Sequence, residues 1–169
     1  QDWCGLTFTR MGGDGALSMG VINALNERSP DINYILRSSD GVNGFGYPGT
    51  CVADNADIPL GGGIHGGLQK TEINNLLVMG GDRIHRDMVR EVPTGIVDIT
   101  PTMLYGLGID APDTAMGRAL KEAFVDGGPA PDWSERIERA SVDGYAQEMI
   151  VADVESGRSA YLRAGRRTA

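Results

Sequence analysis

The sequence contains two histidines, His65 and His85. His65 lies in a run of glycines, Gly61-Gly-Gly-Ile-His-Gly-Gly67, just before an apolar stretch. Flanking glycines let the backbone approach a ligand closely, and a neutral imidazole on such a loop is a ready metal ligand. The same pattern suits a histidine that only hydrogen-bonds its own loop. Taken alone, the residues favour that structural interpretation.

The remaining candidates for chemistry are weaker. His85 is surrounded by side chains of alternating charge, which is typical of a solvated turn. Asp40, in a Ser-Ser-Asp-Gly turn, and Asp98, before a predicted helix, are expected to have turn and cap roles. Like them, Asp54 and Asp57 have no obvious base nearby in the sequence. No P-loop, His-Glu-x-x-His or Gly-x-Ser-x-Gly motif occurs in the sequence.

The elements that must position His65 are predicted to be short strands separated by glycine-rich segments. Leu6–Thr9 and Ile32–Leu36 are rich in apolar, β-branched and aromatic residues and predict strands. The pattern over Ala16–Leu25 suits a helix or a strand equally. Residues 38–64 are predicted to form one long loop, of the kind that often serves as a lid or binding loop.

After His65, the run Asn75–Met79 predicts a strand buried on both faces, as in a mostly parallel sheet. A helix is predicted next, with Thr100 as its N-cap, Pro101 in its first position and Gly108 at its end. Its apolar stripe consists of Ile99, Met103, Leu104 and Leu107.

The end of the chain is predicted to contain a short helix and a hairpin. Asp132-Trp-Ser-Glu135 resembles a capping box that opens a charged helix reaching Ala140. Residues 147–154 and 159–164 flank Glu155-Ser-Gly-Arg158, which is a β-hairpin signal. Gly127–Pro131 is the predicted linker.

Composition narrows the classes of function. The formal net charge is −8 at pH 7 and the pI is about 4.7, which disfavours binding to duplex nucleic acid. The sequence lacks an apolar run long enough to span a membrane. Cys4 and Cys51 could form one disulfide in an exported protein or remain as two thiols. Because the sequence begins at Gln1 and enters a predicted strand at once, we expect a processed piece.

Several short motifs, taken in order and spacing, carry a resemblance. They are His65-Gly-Gly-Leu68, Glu72-Ile-Asn-Asn-Leu-Leu-Val-Met-Gly80, Val92-Pro-Thr-Gly-Ile-Val-Asp-Ile-Thr-Pro-Thr102, Leu107-Gly-Ile109 and Met116-Gly-Arg-Ala-Leu120. Together they resemble the C-terminal part of the type I phosphodiesterase/nucleotide pyrophosphatase family, in the alkaline phosphatase superfamily.

The resemblance implies an α/β fold. Residues 1–126 would form part of an alkaline-phosphatase-like catalytic core, a mostly parallel sheet with flanking helices. Residues 127–169 would add a linker, a short helix and a β-hairpin tail. It further implies a hydrolase with two divalent metal ions, usually zinc. His65 takes the position of a metal ligand in that family, and Gly66 and Gly67 that of a substrate loop.

The family's nucleophile and its remaining ligand pairs are missing from this sequence, which contains no Asp-x-x-x-His and no Asp-His pair. A catalytic zinc takes about three protein ligands and a water. The chain alone is therefore expected to be inert. Its expected partner is the N-terminal portion of the same enzyme, from one precursor or a separate chain, and its expected substrate is a small phosphate ester.

Two alternatives stay open. The chain could be a binding or structural module that retains the fold without catalysis, or a superfamily relative acting on sulfate esters, phosphonates or phosphomonoesters. A periplasmic or extracellular location is favoured by the cysteines and by the resemblance, and the cytoplasm stays open.

Overall fold

A computed structural model describes residues 2–52, 59 and 65–169. The strands, numbered in chain order, are β1 (Cys4–Thr9), β2 (Leu17–Ser18), β3 (Ile32–Leu36), β4 (Ser38–Val42), β5 (Pro48–Cys51), β6 (Trp133–Val142), β7 (Tyr145–Val154) and β8 (Ser159–Arg167). The α-helices are α1 (Lys70–Ile73) and α2 (Ile99–Leu107). Short 3-10 helices span Met19–Ile22, Ile96–Asp98 and Lys121–Ala123.

The predicted fold class is wrong. About 35% of the described chain lies in strands and 15% in helices, and the strands form three small sheets, ordered β2-β1-β3, β4-β5 and β6-β7-β8. The described residues therefore do not form a helix-flanked parallel sheet of the alkaline phosphatase type. Parallel strands need long, usually helical crossovers. In the described ranges α2 is the one α-helix longer than a single turn, and β1 pairs antiparallel with β3.

The first of two compact units contains the chain up to Asn75 together with Arg136–Val151 and Leu162–Ala169. Its core side chains are Leu6, Phe8, Leu17, Met19, Met149 and Val151. Leu6 and Phe8 alternate with half-buried residues along β1, as expected of a strand with one buried face. The predicted strands at Leu6–Thr9 and Ile32–Leu36 are confirmed.

Gln147 joins β7 to the backbone of β1 inside this unit. Its Oε1 accepts from the Thr7 amide at 2.9 Å, and its Nε2 donates to the Thr7 carbonyl at 2.8 Å and to the Gly15 carbonyl at 2.6 Å. One buried side-chain amide thus satisfies three backbone groups that would otherwise lack partners.

The prediction of a continuous loop over residues 38–64 is wrong for its first half, where β4 and β5 form an antiparallel hairpin. Its tip is held by Asn43, whose Oδ1 accepts from the Phe45 and Tyr47 amides at 2.9 and 3.1 Å. Gly46 takes a positive φ of 85° in this turn, which suits glycine. Most of the second half of the predicted loop lies outside the described residues.

The ambiguous stretch Ala16–Leu25 resolves into a short strand and a 3-10 helix. Leu17–Ser18 pairs parallel with β1, and Met19–Ile22 forms one 3-10 turn capped by the Ser18 hydroxyl. Asn23 ends that turn in the left-handed region, with φ of 53°, a conformation that asparagine tolerates better than most residues.

The second unit contains Leu76–Glu135 and Ala152–Tyr161. Helix α2 forms and ends as predicted, with Gly108 in the left-handed region at φ of 72°. Its N-cap is Asp98 and not Thr100, so Pro101 lies in the third helical position instead of the first. The earlier start follows from the 3-10 turn Ile96–Asp98, which leads directly into α2.

Two further element predictions are wrong. Asn75–Met79 forms no strand, and Leu76, Leu77 and Val78 are exposed. The predicted helix from Asp132 to Ala140 is instead strand β6. β6 pairs with β7, and this pairing outweighs a single cap, which stabilises a helix by about 1 kcal/mol. The strands β7 and β8 occur where the hairpin was predicted.

The domain boundary predicted between residues 126 and 127 stays a prediction.

In the described part of the chain, none of the helices is long and apolar enough to cross a membrane.

Candidate functional site

His65 lies at a groove in the first unit. The groove has a volume of about 170 Å³, and its walls include His65, Tyr34, Cys51 and Glu72. His65 itself is exposed, so its ring nitrogens are accessible to a ligand. The adjacent Gly66 adopts a positive φ of 99°, a conformation that a residue with a side chain rarely takes.

Glu72 places a fixed carboxylate in this groove. It lies in the single turn of α1, where its Oε2 accepts from the backbone amide of Gln69 at 2.9 Å. Its Oε1 accepts from the Ser38 hydroxyl, at the start of β4, at 2.8 Å. Two bonds from different segments hold the carboxylate in one orientation.

Gly67 makes room for that carboxylate. A Cβ at position 67 would lie 2.1 Å from the Glu72 carboxyl group, far inside van der Waals contact. The glycine next to the His-Gly pair is therefore required for packing against Glu72. The sequence predicted Gly66 and Gly67 as a substrate loop, and the structure places both at the groove.

The two cysteines are free thiols. Cys51 ends β5, is exposed and lines the His65 groove. Cys4 lies 3.3 Å from the Thr7 hydroxyl, as measured from its sulfur to Oγ1. The structure thus has the thiol alternative and not the disulfide.

A second groove of about 250 Å³ adjoins the first, and Ser38 and Glu72 line both. Arg37, Arg166 and Arg167 contribute to its walls. Arg166 pairs with buried Glu148, and Arg167 lies over the Tyr145 ring at 5.2 Å. Arginines of this kind suit the negative charge of a phosphate group.

The donors at the His65 groove fit zinc in type. Imidazole nitrogen, carboxylate oxygen and thiolate sulfur, offered here by His65, Glu72 and Cys51, are its usual ligands. Within residues 2–52, 59 and 65–169, however, no three His, Cys, Asp or Glu side chains converge closely enough to hold a metal ion.

Asp98 has a structural role, as predicted. It is fully buried in the second unit, and it accepts from the Gly95 amide at 2.9 Å, the Arg118 amide at 2.9 Å and the Tyr161 hydroxyl at 3.0 Å. Burial, followed by the negative charge of Asp98, raises the pKa of Tyr161 to about 12. The three groups that donate to Asp98 hold the start of α2 and enclose the Asp98 carboxylate.

Neither His85 nor Asp40 lines the His65 groove. His85 is exposed and follows the turn at Asp82 and Arg83, and its backbone amide donates to the Ala123 carbonyl at 3.0 Å. Asp40 lies in strand β4 and not in a turn, and it accepts from Gln69 Nε2 at 3.4 Å. Asp54 and Asp57 lie outside the described residues.

The motifs that carry the resemblance are distributed over both units. His65, Gly66 and Gly67 of the first motif and Glu72 of the second line the groove. The motif Val92–Thr102 contains Asp98 and belongs to the second unit. Comparison with protein-family models, with curated proteins and with solved structures finds no match to this chain.

Proposed function

We propose that this chain is part of a metal-dependent phosphoesterase that hydrolyses phosphodiesters or nucleotide pyrophosphates, with His65 as one metal ligand. The observation that carries the proposal is the exposed imidazole of His65 in a groove with the fixed carboxylate of Glu72. The order of the sequence motifs supports it independently. The strand-rich fold lends it no support, so the proposal depends on the groove and on the motifs.

In this proposal His65 and Glu72 would hold one divalent ion. His65 would bind it through a ring nitrogen, and Glu72 would either add a carboxylate oxygen as a further ligand or accept a hydrogen bond from a water molecule at the ion. Bound divalent ions, with zinc as the best match, would stabilise negative charge on phosphate oxygens and lower the pKa of a coordinated water. The arginine side chains of the adjoining groove, among them Arg37, provide positive charge toward the ester.

The remaining parts come from elsewhere. The nucleophile and the other ligands are supplied by the N-terminal portion of the same enzyme, because the sequence lacks their motifs. The substrate is a small phosphate ester, and the enzyme works in the periplasm or outside the cell. The chain by itself is inert.

The test is reconstitution. The chain is joined or mixed with an N-terminal portion that carries Asp-x-x-x-His and Asp-His pairs, and hydrolysis of a chromogenic phosphodiester is measured. His65→Ala is expected to lower kcat/KM by at least ~100-fold, because loss even of groups that only orient a ligand costs about 10- to 100-fold. His85→Ala is the matched control and should leave the rate unchanged. Full activity and full metal content in His65→Ala would show that the assignment is wrong.

A second candidate function is that of a non-catalytic binding module. It is favoured by the adjoining groove of about 250 Å³, whose arginine side chains suit the negative charge of a phosphate group. Calorimetry with zinc and with adenosine monophosphate separates the two. Nucleotide binding that needs neither zinc nor His65, with no hydrolysis after reconstitution, favours the module. If the reconstituted enzyme prefers sulfate esters, phosphonates or phosphomonoesters to phosphodiesters, the proposed substrate class is wrong.

A further inference from the structure

The turn between β4 and β5 contains the only Asn-Gly pair of the sequence, Asn43-Gly44. Asparagine loses its side-chain amide most readily in front of glycine, because the glycine nitrogen can attack the amide carbon without hindrance from a side chain. Gly44 is exposed, and a Cβ added to it would meet nothing within 4 Å. The attacking residue of this pair is therefore open to solvent.

The backbone amide of Gly44 differs from the other amides of the turn in having no acceptor. The amide of Asn43 donates to the Tyr47 carbonyl at 2.8 Å, and that of Gly46 donates to the Asn43 carbonyl at 3.0 Å. The amides of Phe45 and Tyr47 also donate, both to the Asn43 side chain. Among the residues that the structure describes, none accepts from the Gly44 amide. The Gly44 nitrogen can therefore give its proton to a solvent base and act as a nucleophile.

The side-chain amide of Asn43 is oriented for that attack. Its Oδ1 accepts from the Phe45 amide at 2.9 Å and from the Tyr47 amide at 3.1 Å. Attack on the amide carbon develops negative charge on Oδ1, and two backbone amides at these distances stabilise such a charge. Within the described part of the chain, Asn43 Nδ2 donates to no acceptor, so its departure breaks no further contact.

We propose that Asn43 is a site of spontaneous deamidation in the folded chain. The Gly44 nitrogen forms a bond to Cγ of Asn43, and its proton passes to hydroxide. Nδ2 takes up a proton from water and leaves as ammonia when its bond to Cγ breaks. Water then opens the five-membered succinimide at either of its two carbonyl carbons, which gives aspartate or isoaspartate. Neither step oxidises or reduces the chain.

The two products should affect the hairpin differently. Aspartate keeps an oxygen in the place of Oδ1 and adds a negative charge opposite the amides of Phe45 and Tyr47, so the turn stays closed. Isoaspartate adds a methylene group to the backbone between positions 43 and 44, which lengthens the turn and separates the amide at position 43 from the Tyr47 carbonyl. The modification is independent of the proposed hydrolase, since neither groove is lined by a residue of the turn.

The experiment is prolonged incubation of the chain at mildly alkaline pH, followed by peptide mass spectrometry. Asn43 should gain the mass of deamidation at least ~10-fold faster than Asn23, Asn26 or Asn33, each of which precedes a residue with a side chain. The rate should rise with pH, because hydroxide removes the proton of the attacking nitrogen. Isoaspartate, detected by enzymatic methylation, is expected beside aspartate, and aspartate alone would contradict the succinimide route.

A substitution of the attacking residue separates this reaction from other causes. Gly44→Ala should slow deamidation by at least ~10-fold, because the new Cβ crowds the nitrogen. Gly44 does not have a positive φ, so the variant should fold, as checked by circular dichroism. Gly80→Ala is the matched control, because its added Cβ also meets nothing within 4 Å, and it should leave the rate unchanged.

The contribution of the turn is tested by unfolding. The folded chain should deamidate at Asn43 at least as fast as the chain in concentrated urea, where the two amides no longer hold Oδ1. The proposal is overturned if Asn43 reacts no faster than the other asparagines, if Gly44→Ala leaves the rate unchanged, or if the folded chain reacts far more slowly than the unfolded one. Rates in the reconstituted phosphodiesterase assay bear only on the hydrolase.

Discussion

Gly67 offers the sharpest test of how the groove is built. In Gly67→Ala the new methyl group would lie 2.1 Å from the Glu72 carboxyl group, so the flexible Glu72 side chain must swing away. It then loses its bonds to the Ser38 hydroxyl and the Gln69 amide. Gly67 does not have a positive φ, so the substitution adds no backbone strain of that kind.

The expected cost follows from those two bonds. Each contributes about 0.5–1.5 kcal/mol net. Because Glu72 is exposed, the lower half of that range applies, and the total for the two bonds is about 1–2 kcal/mol. The free energy of unfolding is measured by urea titration with circular dichroism. Gly80→Ala is the control, because nothing lies within 4 Å of its added Cβ and its φ is not positive.

A double-mutant cycle makes the reasoning refutable. In Glu72→Ala the carboxylate is gone, so adding Gly67→Ala should then cost little, and the two changes should be less than additive by about 1 kcal/mol. Additive costs, or a cost of Gly67→Ala below about 0.3 kcal/mol, would mean that Gly67 does not make room for Glu72.

Three further predictions concern interactions inside the two compact units. Gln147→Met keeps the side-chain volume but removes three hydrogen bonds to the backbone at Thr7 and Gly15. It should lower the free energy of unfolding by about 3–5 kcal/mol in urea titrations, because buried backbone groups lose their partners. A loss under 1 kcal/mol would contradict this role of Gln147. The pKa of Tyr161 is raised from 10 to about 12. The stability that this shift provides is fully present below pH 10 and is lost as the pH rises through 12, so the free energy of unfolding should fall by about 2–3 kcal/mol. Urea titrations at pH 9, 10.5 and 11.5 should show this fall in the wild type and a smaller one in Tyr161→Phe, and equal slopes would refute it. Gly15→Ala should destabilise strongly, since its φ is 73° and the added Cβ would lie 2.3 Å from Val142; an unchanged melting temperature would show that the chain relaxes there.

Local patterns predicted the elements that need only local information. Leu6–Thr9 and Ile32–Leu36 form strands because their side chains alternate or branch in the way that a sheet face accepts. Gly108 ends α2 because glycine takes the left-handed conformation without strain. The 155–158 turn was recognisable for a similar reason.

Other elements depend on pairing with strands that a local sequence pattern does not specify. The apolar run Asn75–Met79 shows that its side chains favour burial, but it does not specify a neighbouring strand, and none of it is strand in the structure. The capping box at Asp132 is a real local preference, yet β6 gains more from its pairing with β7. The fold class failed because it was carried over from short motifs, which do not determine topology.

The site was predictable only in part. The glycine neighbours of His65 drew attention to it, but its assignment as a metal ligand came from the family resemblance. Glu72 could have been found as the third helical residue after Gln69, where a carboxylate often bonds back to the cap. Cys51 and the arginines near the end of the chain reach the grooves through contacts distant in sequence. No spacing rule along the chain would have indicated them.

The central claim is that His65 binds a metal ion in a phosphoesterase. It is tested most directly by the metal content of the complete enzyme, with this chain and its N-terminal portion together, determined by mass spectrometry for the wild type, His65→Ala and His85→Ala. The wild type and His85→Ala should retain about two zinc ions and full phosphodiesterase activity, and His65→Ala should lose about one ion together with the activity. Equal zinc content and equal activity in all three proteins would contradict the claim.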